Sequence, residues 1–278
     1  PAPLAIVFPR STEDVIAVVH CAREHRFALV PSGGRTGLSG GAVAANREVV
    51  VSMDKLNAVG TVNVTDRSIT VGAGAITQSI QDAASQVGLF YPVDFASSGS
   101  SQIGGNIATN AGGINVIRYG MTREWVAGLT VVTGKGEVMA LNKGLTKNNT
   151  GLDFRHLFIG SEGILGFITE ATLKLTAPPK NATVLVLGLS DMDAIMRVLE
   201  RIQSTASLLA YEFFSELAVS KVVEHAGVAR PFDTQTPFYA LIEFENDSES
   251  IEAALFDAVE ACMEEGWVID AVMSQSVA

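Results

Sequence analysis

Pro31-Ser-Gly-Gly-Arg-Thr-Gly-Leu-Ser-Gly-Gly41 is the stretch on which the reading of this chain turns. Gly99-Ser-Ser-Gln-Ile-Gly-Gly-Asn-Ile-Ala-Thr-Asn-Ala-Gly-Gly113 answers it downstream. Together they hold 10 of the chain's 26 glycines, so the glycine is concentrated. Glycine reaches positive φ and lets a ligand approach the backbone with no Cβ in the way. Successive N–H groups in such turns form concave nests that hold anions. Ser32, Thr36, Ser39, Ser100, Ser101, Asn106, Thr109 and Asn110 add short hydroxyl and amide side chains. A flexible tether is monotonous in Gly and Ser, whereas Leu38, Ile103 and Ile107 are interleaved here. The pattern predicts two loops that close on one polyphosphate-containing cofactor.

Working outward, residues 5–8 read as a strand. Ser11 caps a helix over 12–25, with Glu13 and Asp14 in the first turn, where the helix dipole favours them. Val15, Ile16, Val18, Val19 and Ala22 share one face at helical spacing. Residues 27–30 form a strand that delivers the chain into the first glycine cluster, and 49–53 form another, apolar enough to be buried. Short strands are expected at 62–64 and 68–71, then a helix capped by Thr77 that runs to 87, with Gly88 as its stop. A hairpin over 126–141 turns at Gly134-Lys-Gly136, a helix covers 152–159, and a strand covers 167–175. At Ala177-Pro-Pro-Lys180 the organisation changes, because two prolines make an extended link and no glycine cluster follows. Beyond it, strands at 183–187, 208–213, 238–245 and 267–272 alternate with helices at 192–203, 215–225 and 250–265. That βαβ-βαβ rhythm is of ferredoxin-like type. The last seven residues stop in mid-element fashion and no Met begins the chain, so a longer natural protein is expected.

A chain of 278 residues can bury a substantial core in one or two domains. It contains no uninterrupted apolar run of about 18 residues, so no membrane span is expected. The first ten residues lack the apolar run of a signal peptide. Cys21 and Cys262 read as small hydrophobes rather than a disulfide, which fits a reducing, cytoplasmic location; a peripheral position at the inner membrane stays open. A net charge of −11 without a Lys/Arg cluster argues against nucleic acid as a partner. The same charge opposes a phosphate at long range. Screening over about 8 Å at physiological salt leaves the matter to local N–H donors. Gly72-Ala-Gly-Ala-Ile-Thr77 lacks the third glycine of a dinucleotide fingerprint, and Gly134-Lys135 lacks the Walker partners, which sets aside Rossmann and P-loop sites. His20, His25, His156 and His225 have no metal-ligand spacing, so no metal site is predicted.

Five motifs stand in order: residues 31–41, Ile103–Gly113, Arg118-Tyr-Gly120, Asn149-Thr-Gly151 and Phe158-Ile-Gly-Ser-Glu-Gly-Ile-Leu-Gly166. They resemble the FAD-binding domain of the vanillyl-alcohol-oxidase (PCMH-type) flavoproteins. Within that group the similarity is greatest to D-2-hydroxyacid dehydrogenases: D-lactate and D-2-hydroxyglutarate dehydrogenases and the glycolate oxidase D subunit. The resemblance implies an α+β fold, with a PCMH-type FAD-binding domain of two α/β subdomains over residues 1–178. The start of a ferredoxin-like α+β cap, of the FAD-linked oxidase C-terminal type, would follow over 179–278. It implies an FAD diphosphate held by the N–H groups of Ser32, Gly33, Gly34, Arg35, Thr36, Gly37 and Leu38. Pro92, Gly99, Ser100, Gly104, Gly105, Asn106, Thr109 and Asn110 would lie along the rest of the cofactor. Glu162, Gly166 and Ile168 would lie near the adenine end or the flavin's flank. Some members attach FAD through a His in the first glycine loop; Arg35 stands there in this chain, so noncovalent FAD is expected. Plainer readings stay open: Asn106 and Asn110 in Asx turns, Glu162 as a cap or surface carboxylate, Arg118 in a structural ion pair. Phe213 and Phe214 read as core rather than substrate pocket.

The activity implied by the resemblance is oxidation of a small D-2-hydroxy acid to the 2-keto acid. Electrons would pass from FAD to a quinone, a cytochrome or an electron-transfer flavoprotein, and a homo-oligomer is left open. Such chemistry needs a base and a cationic clamp for the carboxylate. In the resembled family these lie further along, so the catalytic residues are not assigned and the chain alone is expected to turn over slowly or not at all. Two rivals remain at this point: a non-catalytic flavin-binding subunit that needs a partner chain, and another flavoenzyme of this fold acting on an alcohol or sugar acid.

Overall fold

In the computed structural model, which describes residues 2–142 and 144–274, three parallel strands form the first sheet. They are β1 (Ala5–Val7), β2 (Leu29–Ser32) and β3 (Val49–Ser52), in the order β1-β3-β2. Helix α1 (Thr12–His25) makes the crossover from β1 to β2. Ser11 Oγ accepts the Asp14 N–H at 3.2 Å, and Arg26 closes the helix in the left-handed region, φ 56°. Strand β2 starts two residues later than the sequence suggested and runs through Pro31 and Ser32. The first glycine stretch therefore begins as strand. A parallel neighbour requires a connection that travels back along the strand. Between β2 and β3 residues 33–48 make that return without a helix, and this is why the glycine loop is long.

The second sheet is antiparallel, with order β4-β7-β5-β6. Strand β4 (Ser68–Gly72) is followed by helices α2 (Thr77–Ser85), α3 (Ile103–Thr109), α4 (Val116–Tyr119) and α5 (Thr122–Trp125). Strands β5 (Val126–Thr133) and β6 (Val138–Leu141) then form the expected hairpin, and α6 (Arg155–Phe158) precedes β7 (Gly166–Lys174). Three local expectations are corrected. Residues 62–64 make a single bridge, Asn63 to Ser68, instead of a strand, because the Asn63 side chain grips Asp66 in a turn. Ile76, not Thr77, is the N-cap of α2; the Thr77 hydroxyl meets Ser101 Oγ at 2.7 Å. The helix expected over 152–159 contracts to four residues, since Asp153 turns back to bind Arg155. Val15, Val19, Val51, Ile69, Ile80, Ile103, Ile107, Leu129 and Leu173 bring both sheets and their helices into one core.

The chain divides into two compact units, Pro1–Gly113 with Gly120–Pro178, and Ile114–Tyr119 with Pro179–Ala278. In the second unit, β8 (Ala182–Leu189), β9 (Leu208–Ser215), β10 (Phe238–Glu245) and β11 (Val268–Met273) form an antiparallel sheet of order β11-β8-β10-β9. That is the ferredoxin-like order, and helices α7 (Met192–Gln203), α8 (Glu216–Ala226) and α9 (Glu249–Glu264) connect the strands. Leu187, Leu189, Val198, Ile202, Ile242, Phe244, Leu255 and Cys262 build its core. Phe213 is a correction: it is about half exposed, and only Phe214 packs, stacked on Tyr239 with ring centroids 5.6 Å apart. The end of the chain beyond residue 274 lies outside the described residues. Among the described residues no helix is long and apolar enough to cross a membrane.

Candidate functional site

In an open parallel sheet, ligands sit outside the carboxyl ends of the strands. Here the carboxyl ends of β2 and β3 open onto a cleft of about 360 Å³ in the first unit. One wall is the loop from Ser32 through Gly37 and Ser39 through Val43. The facing wall comes from α3, with Gln102, Gly104, Gly105, Asn106, Ala108 and Thr109, and from Glu162, Gly163, Gly166, Phe167 and Ile168. Both glycine stretches thus meet at one cavity.

The loop supplies donors. Among the described residues, no backbone N–H from Gly33 to Ala42 donates to another group of the chain. Arg35 takes φ 56°, and its guanidinium makes no ion pair among the described residues. Across the cleft the Gly105 N–H also lacks an acceptor. Three glycines of the cleft differ in what a Cβ would meet. A Cβ on Gly104 would lie 2.7 Å from that of Ala73, so the residue is glycine for packing. A Cβ on Gly105 or Gly37 would meet nothing within 4 Å, so these two keep open space clear.

The sequence-predicted residues divide. Ser32, Gly33, Gly34, Arg35, Thr36, Gly37, Gly104, Gly105, Asn106, Thr109, Glu162, Gly166 and Ile168 line the cleft; Leu38, Pro92, Gly99, Ser100 and Asn110 do not. Leu38 is fully exposed. Asn110 is the left-handed cap of α3, φ 48°, and its Oδ1 accepts the Arg123 N–H at 2.9 Å. Asn106 lines the cleft, yet its amide donates to Thr77 Oγ1 at 2.7 Å and so ties α3 to α2. Thr109 Oγ1 bonds back to the Gly105 carbonyl at 3.0 Å. Glu162 takes φ 55°, and its Oε2 would lie 3.2 Å from a Cβ on Gly41. Arg118 pairs with Glu245 at 3.2 Å inside the second unit.

Sequence reasoning missed Met53, Phe95, Ser97, Gln102, Ala108, Ala111 and Phe167, which also line the cleft. Met53 had a legible signal, being the residue after a buried parallel strand. Gln102 had one too, as an uncharged polar residue directly before an apolar helix start. The net charge of −11 is also unevenly spread. The first unit holds 13 basic and 13 acidic side chains; the second holds 6 basic and 17 acidic ones. The cleft therefore belongs to a unit without net charge.

Does the cleft suit a dinucleotide with a diphosphate? Unpaired N–H donors line one wall, and two of the lining residues, Ser32 and Gln102, carry buried side-chain oxygens, Oγ and Oε1, without a partner among the described residues. Buried polar atoms are normally paired, so the site is fitted to a polar ligand. The FAD binding domain family matches residues 3–142, half of the chain, and the C-terminal domain of FAD linked oxidases matches 178–278.

The chain belongs to the FAD-binding domain family.

FAD is accordingly the cofactor whose diphosphate the donor wall suits. The chain is 58% identical to "D-2-hydroxyglutarate dehydrogenase" of Stutzerimonas stutzeri, over 99% of this chain and 60% of that protein. It is 34% identical to a mitochondrial protein of the same name from Arabidopsis thaliana, over 98% of this chain and 49% of that one. A solved structure of alkyldihydroxyacetonephosphate synthase superposes with a TM-score of 0.76 at 21% identity, over 98% of this chain and 52% of that one. This likeness shows the fold. The chain thus spans about half to three-fifths of the length of these relatives.

Proposed function

We propose that the chain is the FAD-holding part of an oxidoreductase that oxidises D-2-hydroxyglutarate, or a close D-2-hydroxy acid, to the 2-keto acid. The observation that carries this reading is 58% identity across nearly the whole chain to a protein named for that activity. When bound, FAD supplies the acceptor for the substrate's Cα hydride. The chain's own residues hold and orient it. The unpaired N–H groups of residues 33–37, at the cleft wall, take the diphosphate, and Arg35 adds a cation. Met53, Phe95, Ala108, Phe167 and Ile168 supply apolar wall that excludes water. Arg35 cannot form the carbon–nitrogen link that a histidine forms, so the FAD is held noncovalently. Electrons leave for a quinone, a cytochrome or an electron-transfer flavoprotein.

The four histidines of the chain are all exposed, and no group of three metal-ligating side chains gathers among the described residues. We place the base and the carboxylate clamp in the remaining two-fifths to one half of a protein as long as its relatives. Dye reduction tests this with the 278-residue chain and with a chain extended to the relatives' length. The extended chain should bleach dye with D- but not L-2-hydroxyglutarate, and the shorter one slowly. An FAD-loaded extended chain inert to D-2-hydroxyglutarate and to D-lactate would overturn the substrate reading. Acid precipitation should release all the yellow chromophore into the supernatant.

A further inference from the structure

We infer that Gln102, held in one orientation by Asp54, reads a hydroxyl group of the FAD beside its diphosphate. The inference rests on FAD as the cofactor and is independent of which substrate is oxidised. Gln102 is 6% exposed and lines the cleft. Its Nε2 donates to Asp54 Oδ1 at 2.7 Å, while its Oε1 has no partner among the described residues. An ionised carboxylate only accepts hydrogen bonds. Asp54 therefore decides which end of the amide faces it and leaves the oxygen of this cleft-lining residue unpaired. Asp54 is placed in turn by β3, since its N–H donates to Ser52 Oγ at 3.3 Å just beyond the strand. Ser32, 1% exposed at the end of β2, lines the same cleft and carries a second buried, unpartnered oxygen.

The position of these atoms selects the ligand group. Gln102 Oε1 lies 3.5 Å from where a Cβ on Gly33 would stand, next to the first of the unpaired N–H groups. Those N–H groups suit phosphate oxygens. An amide oxygen does not, because an ionised diphosphate has no proton to offer it and two acceptors repel. The group opposite Gln102 must therefore donate a hydrogen bond, and it must sit close to the diphosphate in the covalent structure. In FAD the ribityl chain and the ribose flank the diphosphate, and both offer hydroxyls. Ser32 Oγ can donate and accept, so it completes the contact with a second oxygen of the same polyol. Asp54 is a positioning residue, acting only through the amide.

Titrations of the FAD-free chain test this, following flavin fluorescence for FAD and FMN and using competition for ADP. Gln102→Leu should weaken FAD about tenfold to a hundredfold, because it removes a buried hydrogen bond and leaves the ligand hydroxyl unpaired. If the hydroxyl is on the ribityl chain, FMN loses affinity and ADP does not; if it is on the ribose, the pattern reverses. Either split supports the inference. Asp54→Asn frees the amide to turn and should weaken FAD by a smaller factor, with the same split. Gln102→Glu sets a second carboxyl against Asp54, so its FAD affinity should rise as pH falls and the pair takes up a proton. That readout also decides the matter if the Leu variant fails to fold. Unchanged FAD affinity in Gln102→Leu, equal losses for FMN and ADP, or a pH-independent Gln102→Glu would each overturn the inference. None of these measurements involves a hydroxy acid, so the substrate reading stands or falls separately.

Discussion

Gly34 and Ser100 meet backbone to backbone: a Cβ on Gly34 would fall inside the contact distance of the Ser100 carbonyl oxygen, and 3.0 Å from Ser101 Cα. The two glycine stretches, far apart in sequence, are thus pressed together at one end of the cleft and open at the other. Gly34→Ala forces that contact apart. Backbone cannot yield as a flexible side chain can, so overpacking of about 1–3 kcal/mol is expected. Thermal melting of the FAD-free chain should show a lower Tm, and FAD affinity should fall with it.

Gly105→Ala separates packing from ligand space. It lies inside α3, where nothing stands within 4 Å of its missing side chain, and helix propensity favours alanine there by about 0.5–1 kcal/mol. The FAD-free variant should melt at or above the unaltered chain while binding FAD more weakly. An equal FAD affinity, read by fluorescence quenching, would show that the methyl does not point into the cofactor's space.

Most of the fold was legible, and the reasons differ by element. Helix α1 was read to the residue because Ser11, Glu13 and a clean apolar face agree. Strand β10 and helix α7 were read to the residue as well. Several that slipped are decided by side-chain hydrogen bonds, local ones at Asn63–Asp66 and Asp153–Arg155 and a long-range one at Thr77. Thr77 looks like a cap but spends its hydroxyl on Ser101, 24 residues away. The small helix α4 lies between the cofactor loop and α5 in sequence, yet belongs with the second unit, which no local pattern announces. At the cleft, glycine pattern found both walls. It missed Gln102, whose importance comes from its Asp54 partner, 48 residues away.

Tyr91 is fully buried in the core of the first unit, and its hydroxyl has no partner among the described residues. Burial pushes its ionisation well above the usual tyrosine range. An unpaired buried hydroxyl costs about 1–3 kcal/mol, a penalty that phenylalanine of nearly the same shape would not carry. Tyr91→Phe should leave the Tm unchanged or raise it by a few degrees. A clear fall on differential scanning calorimetry would mean that the hydroxyl is satisfied in solution, by a bound water for instance.

Glu216 gathers Arg230 at 2.6 and 3.0 Å, Tyr239 OH at 2.7 Å and Ser220 Oγ at 2.7 Å. The hydrogen bonds from Arg230 first, then those from Ser220 and Tyr239, hold its carboxyl down to about 2, against 4.5 for an ordinary glutamate. A carboxylate whose pKa is depressed on folding stabilises the fold above its unfolded pKa and loses that contribution as the pH falls towards the folded one. Glu216→Gln should therefore melt below the unaltered chain at neutral pH, and the gap should close between about pH 4.5 and pH 2. The network pins the segment around Arg230 against Tyr239, on which Phe214 and Phe232 stack. Melts in a pH series, followed by near-ultraviolet circular dichroism of those aromatic rings, check it; a gap that persists unchanged at pH 2 would show that packing, not charge, holds the segment.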